Sequence, residues 1–487
     1  MLLEIQKFFS KLWVRIAFIV ASFGWQLYIV TYGLTSGNHF SDEPIYVSAG
    51  WSYVTGDFTA NLEHPPTAKY LIGFAQQLWG QGFTSGRIMA AIFVLLAAAV
   101  LGWMVSTEGG LWAGLIAANL FVFMPQRFQN FAATNMLEPF MVCFLVFAFA
   151  AAWLWQRTGH WWLMLLAGAF FGFAVTSKIT AAVAVVAFIA VFINRHHWAK
   201  KIAALALFAA GTWASVWFAY LQIGYDRGVT YMTNFQNHHN EVGHYVFIAG
   251  EPYMHTPWWA VFWNMVVEAG WPLVLTWVLL TLVALVWRPS VLAIFLGLGA
   301  FSIAGFYAFV SHISLPHYFI GYSWALAGLS GLGLARLWRW ANQEQPAFLR
   351  LRISNGSKKA AARTLAILAS LLVAISLTIS AAVVHRVKPF GVALVWSELV
   401  KHHAEGNIYV VGEQNNLDDY LLRHWASNFK HQPYSAIYVG ADPRFAMDPI
   451  VAHYISKHKK TLDKVSLGHS TYVLISKIPI HFHNIPG

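Results

Sequence analysis

Residues 41–70 read SDEPIYVSAGWSYVTGDFTANLEHPPTAKY, a polar stretch lying between apolar runs near 13–33 and 88–106. Ser41 or Asp42 can cap a helix, with Glu43 and Pro44 in its first turn, where acids and proline are favoured. Tyr46, Val47, Gly50, Trp51 and Val54 recur at helical spacing, which predicts an amphipathic helix on the membrane surface. Glu63-His64-Pro65-Pro66 then predicts a rigid turn that presents two polar side chains before the chain becomes apolar again. Each piece also has a purely structural use, as a cap, as punctuation, or as a hydrogen-bonded interfacial histidine. The weight of the reading comes from what surrounds it.

Outward from this stretch the chain is overwhelmingly apolar. Hydrophobic residues make up 58% of the 487 and charged residues only 10%, far below the roughly 25% charged of globular proteins. Apolar runs long enough to cross a bilayer recur along most of the length. They predict about eleven helices, near 13–33, 88–106, 110–125, 136–155, 161–176, 179–194, 202–222, 268–287, 290–310, 317–338 and 364–384. Two polar interruptions, 34–87 and 223–267, exceed simple turns. With the N terminus cytoplasmic, the inner loops carry fifteen Lys and Arg and the outer loops before residue 385 carry five, the bias that sets topology. The net charge of +11 therefore reads as orientation rather than as nucleic-acid binding. Cys143 is the single cysteine, so no disulfide forms within the chain.

From about 385 the composition turns polar. Asn407–Gly412, Ser435–Gly440 and Thr471–Lys477 read as strands, and Tyr420–Ala426 and Pro449–His458 as helices. The expected architecture is an all-α polytopic membrane domain over 1–384 with a small extracytoplasmic α/β domain over 385–487. Ionisable residues gather on the outer side: Arg127 after the third helix, Glu138 in NMLEPF, Lys178 in SKIT, and His312, His317 and Tyr318 in SHISLPHY. Charges at a membrane boundary are costly and face a partner or a cavity. The pattern predicts one outward-facing polar cavity.

These residues carry a resemblance. DEPIY at 42–46 and HPPTAK at 64–69 resemble the first outer loop of the dolichyl-phosphate-mannose protein mannosyltransferase superfamily. That superfamily, glycosyltransferase family 39-like, includes bacterial lipid-carrier-dependent transferases such as aminoarabinose transferase. Arg87, Glu138-Pro139, Lys178 and Pro316-His317-Tyr318 continue it in order over roughly residues 10–385. The resemblance implies the membrane-embedded GT-C fold in a plasma (inner) membrane, with its active site on the non-cytoplasmic face. It implies inverting transfer of a sugar from a polyprenyl-phosphate-linked donor to a hydroxyl of a lipid, glycan or protein acceptor. Asp42 is then the base and Glu43 its support. His64, Lys69, Arg87, Arg127, Glu138, Lys178, His317 and Tyr318 are the candidates for holding donor and phosphate. Some relatives hold a divalent ion through an acid of the proline turn and a distant histidine. Glu63 with a histidine from 238, 239, 244 or 255, His244 foremost, would reproduce that. The chain lacks the MIR-type insertion of eukaryotic protein mannosyltransferases. A transporter or lipid flippase shares the many helices and the cavity, but would place charges mid-span and break paired helices.

Overall fold

The computed structural model describes residues 11–34, 42–123, 134–193, 196–286, 289–342, 355–383, 407–411, 433–439, 449–468 and 471–480. Two compact units are distinguished: Met1–Leu34 with Ala49–Arg386, and Thr35–Ser48 with Val387–Gly487.

In chain order the first unit begins with α1 (Leu12–Thr31), the latter part of α2 (Glu43–Val54), α3 (Thr67–Trp79), α4 (Phe83–Gly109), α5 (Leu111–Phe121), α6 (Glu138–Thr158) and α7 (Trp162–Ser177). A 3-10 helix (Ile179–Phe192) follows, then α8 (Trp198–Ala219), α9 (Tyr225–Val242) and a hairpin of β1 (Val246–Ile248) and β2 (Glu251–Tyr253). It closes with α10 (Ala260–Ala269), α11 (Trp271–Leu285), α12 (Val291–Phe309), a short 3-10 turn (Pro316–Phe319), α13 (Ile320–Asn342) and α14 (Asn355–Val383). Each of the eleven expected helices is present, and six of the described helices are long and apolar enough to span a bilayer. The chain is a multi-pass membrane protein.

Two expectations change. The helix expected over 268–287 starts later, at 271: Gly270, at φ 81, ends the preceding α10, and Trp271-Pro272 starts α11. Only glycine adopts that angle freely, and proline suits a first turn. The amphipathic helix expected to lie on the surface is instead mostly buried, with Tyr46, Val47, Ala49 and Tyr53 in the interior. Its Gly50 meets Gly73 of α3 so closely that a Cβ on Gly73 would overlap the Gly50 carbonyl. That contact, not a lipid face, orients it.

Small residues set the packing throughout. Gly168 and Gly172 of α7 lie against Phe208, Thr212 and Ser215 of α8, where a Cβ would meet backbone or hydroxyl oxygen. This is the small-xxx-small crossing that brings membrane helices together without a hydrophobic drive. In α13 every residue from Ile320 to Leu334 is buried. Gly331 lies against α5 and Gly333 against α11, so α13 is surrounded by protein rather than lipid. Its buried Ser323 and Ser330 hydroxyls donate to the carbonyls of Ile320 and Leu326, as an apolar interior requires.

In the second unit, β3 (Asn407–Val411), β4 (Tyr434–Val439), α15 (Pro449–Lys457), β5 (Leu462–Gly468) and β6 (Thr471–Ile480) form a four-stranded sheet of order β3-β4-β6-β5 with one helix. β3 and β4 are parallel and the other pairings antiparallel. Val451 of α15 packs with Ile437, Val439, Leu462, Leu474 and Ile480. Strand β5 was not expected; its LDKVSLG carries charge at 463 and 464, which protects an edge strand from further pairing but blurs its apolar signal. The helix expected over 420–426 lies outside the described residues.

Candidate active site

Three helix ends converge on one ion cluster. Glu138 opens α6, where the helix dipole favours a carboxylate. Lys178 is the single residue between α7 and the 3-10 helix, and its extended backbone, φ −150 and ψ 125, breaks the run. His317 sits in the short 3-10 turn that leads into α13. The Lys178 ammonium donates to Glu138 Oε1, and His317 Nε2 lies 3.3 Å from the same oxygen. Lys178 Nζ also stands 3.9 Å from the centroid of the Tyr318 ring. Tyr318 packs on Tyr307 at 4.6 Å, and the Tyr307 hydroxyl donates to Thr180 Oγ1 at 3.0 Å. Glu138, Lys178 and His317 are all buried. Glu138 Oε2 makes no hydrogen bond among the described residues. Buried carboxylate oxygens are ordinarily satisfied, so this atom is the cluster's open acceptor.

The proline turn lies beside the cluster. Thr67, at the start of α3, shares a 2.7 Å hydrogen bond with Thr176, two residues before Lys178. Lys69 is fully buried, and its ammonium is taken up locally. It donates to the carbonyls of Asn61 and His64 and faces the Tyr53 ring at 5.1 Å. Burial pushes this lysine down to about 7, opposed by the nearby Glu63 carboxylate. Lys69 therefore shapes the turn, whose Asn61 takes a left-handed φ of 49. Burial, with the charges of Lys69 and Lys178 close by, pushes His64 down to about 3 against the opposing pull of Glu138. At neutral pH it is an uncharged hydrogen-bonding group, not a cation.

The other expected residues are placed as follows. Arg87, in the first turns of α4, is buried; it donates to the Leu34 carbonyl at 3.2 Å and lies over Phe83. Asp42 precedes α2 and accepts from the Tyr46 hydroxyl at 3.3 Å; Glu43 is buried in the first turn. Both belong to the stretch Thr35–Ser48 that groups with the second unit. Arg127 lies outside the described residues. For a metal, Glu63 Oε2 accepts from the Asn61 amide at 3.0 Å, and His244 packs on His239 at 5.4 Å. Among the described residues no three of His, Cys, Asp and Glu come together as a ligand set. No step is derived through a metal ion.

Several residues near the site gave no sequence signal of their own. Gln236 of α9 donates to the Glu63 carbonyl at 2.8 Å, and Asn240 holds His312. Gly228, Met232, Gln236 and Asn240 recur every four residues along one face of α9, the one pattern that could have marked them. Thr180 and Tyr307 had no signal, because each matters only through the other.

Comparison with known proteins bears on the fold. Residues 63–220 match the family model described as dolichyl-phosphate-mannose-protein mannosyltransferase. The chain superposes on ArnT from Cupriavidus metallidurans bound to undecaprenyl phosphate, at 15% identity and a TM-score of 0.56, covering 95% of this chain and 97% of that one. The apo state of the same protein gives 16% and 0.54 with the same coverage. The Archaeoglobus fulgidus oligosaccharyltransferase tethered to an acceptor peptide gives 14% and 0.49, over 87% of this chain and 64% of that one. No curated protein matches the sequence. The family match takes in HPPTAK and begins after DEPIY; the resemblance is borne out, and the fold is the GT-C fold.

Proposed function

We propose that this chain is an inverting glycosyltransferase of the bacterial or archaeal cell envelope, moving a sugar from a polyprenyl-phosphate carrier to an acceptor hydroxyl. The observation that supports it best is the buried Glu138–Lys178–His317 cluster beside the His64 turn, two of whose three residues fall within the stretch matching the family model. The acceptor oxygen attacks the anomeric carbon, the bond from that carbon to the phosphate oxygen breaks, and the carrier phosphate leaves with the electron pair. Lys178 and the His317 imidazole stabilise that leaving charge, in a buried site where such interactions count for far more than they do in water. His64 acts as a neutral donor to the phosphate. Glu138 keeps Lys178 in position and offers Oε2 to a sugar hydroxyl. Asp42 takes the acceptor's proton, with Glu43 supporting it. The active face and the C-terminal unit are extracytoplasmic, on a plasma (inner) membrane whose cytoplasmic side holds the N terminus.

A transporter needs charge at mid-span. Here Glu108, Glu138 and Arg157 occupy end turns of their long apolar helices, an arrangement that favours the transferase. The test is transfer of labelled sugar from a panel of polyprenyl-phosphate donors, in membranes carrying wild-type or Asp42→Asn protein. Transfer by wild type and a loss of at least about a hundredfold in the variant, the lower range for a lost general base, are expected. Full activity in the variant would reduce Asp42 to a helix cap.

A further inference from the structure

The loop that carries His317 is held from outside by two asparagines. Asn240, in the last turn of α9, accepts from the His312 backbone N–H through Oδ1 at 2.8 Å, and its own carbonyl accepts from His312 Nδ1 at 3.0 Å. Asn264 of α10 is buried and donates to the Ser314 carbonyl at 2.9 Å. The loop is thus gripped at 312 and 314, and three residues later His317 reaches Glu138. The end of α9 is braced in turn: His255 Nε2 donates to the Glu241 carbonyl at 2.9 Å, and its ring meets that of His312 at 5.1 Å. One turn back along the same face, Gln236 holds the Glu63 carbonyl, so a single helix is bonded to both the His64 turn and the His317 loop.

We infer that Asn240 is a positioning residue for phosphate recognition, acting through the His312 backbone to keep the His317 imidazole on Glu138. The inference rests on the phosphate-binding role proposed above for the Glu138–Lys178–His317 cluster. The two-point grip on one residue fixes both position and direction of the loop, which a single hydrogen bond does not. A side chain that only filled space would not require an acceptor at Oδ1. Aspartate keeps that acceptor; leucine keeps the branching at Cγ and removes it.

The test measures undecaprenyl phosphate binding to the full-length protein in nanodiscs, for wild type, Asn240→Leu, Asn240→Asp, His317→Gln and the Asn240→Leu/His317→Gln double variant. Thermal unfolding verifies that each is folded. Asn240→Leu is expected to weaken binding about tenfold, the effect of about one well-made hydrogen bond, and Asn240→Asp to stay within about twofold of wild type. In the His317→Gln background Asn240→Leu should add little, because a residue that works through another is not additive with it. Equal losses in both backgrounds, or wild-type binding by Asn240→Leu while His317→Gln is impaired, would overturn the inference alone. Wild-type binding by His317→Gln would overturn the phosphate site itself, and the inference with it. If Asn240→Leu does not fold, Asn240→Ala removes the Oδ1 bond and His312→Phe the separate Nδ1 bond to the Asn240 carbonyl, and each is read by the same criteria.

Discussion

Lys178 shows what a buried charge needs from its neighbours. Its ammonium has left water at a membrane boundary, where an isolated ion is untenable. It is stabilised by the Glu138 carboxylate and the face of Tyr318, and Glu138 is shared with His317. Removing one partner of such a pair strands the other, at a cost of about 3–5 kcal/mol, whereas removing both leaves no stranded charge. Glu138→Gln and Lys178→Met are each expected to lower the midpoint of thermal unfolding, and the double variant to be more stable than either single one. Midpoints measured in detergent check this; a double variant as unstable as the sum of the singles would mean that the two charges stabilise the fold independently.

At the scale of elements, length and closeness replace charge. The 3-10 helix after Lys178 has 14 residues. At about 2.0 Å per residue it reaches about 28 Å, where an α-helix of the same count would reach about 21 Å. Its unusual winding lets a short segment cross most of a hydrocarbon core of about 30 Å. The segment before it, α7, is fixed by contact with α8 at Gly168, Gly172 and Gly211. A methyl at Gly168 cannot fit without moving the Phe208 backbone, so Gly168→Ala is expected to destabilise by about 1–3 kcal/mol, the range for overpacking. An exposed glycine such as Gly24, which meets nothing within 4 Å, supplies the control: Gly24→Ala should be neutral or slightly stabilising. Comparing the two midpoints separates packing from helix propensity.

At the scale of the whole first unit, charge divides between the two ends of the helices. One end holds Glu138, Lys178 and His317. The other holds Glu108, which accepts from Ser290 and lies beside Arg157, Arg336 and Arg339, while Arg336 also donates to the carbonyls that end α11. The proposed orientation puts the arginine-rich end in the cytoplasm, as the positive-inside rule expects. Cys143 is the single native cysteine and is buried, so one introduced cysteine reports alone. His160→Cys, beyond the end of α6, is expected to resist an impermeant thiol reagent in intact cells, and Glu251→Cys, at the start of β2, to react. The opposite pattern would invert the topology and move the active face to the cytoplasm.

The amino-acid sequence by itself determined the membrane class, the eleven helices and the family resemblance. Those signals are local: an apolar run needs no partner to be recognised, and DEPIY and HPPTAK are contiguous. It also marked Glu138, Lys178, His317 and Tyr318, because charge at a span end is conspicuous wherever it falls. Only the tertiary structure decided what each residue touches. Lys69 and Lys178 read alike as boundary lysines, yet one is consumed by the carbonyls of its own turn and the other reaches a carboxylate 40 residues away. Asn240 lies in NHHNE, where nothing sets it apart, and the role inferred for it comes from a hydrogen bond across 72 residues. Likewise α2 reads as a surface helix because Gly50 looks neutral, until Gly73 is seen against it. Hydropathy and helical period are summed along the chain, whereas a hydrogen bond or a close approach depends on which distant segment arrives, and that only packing settles.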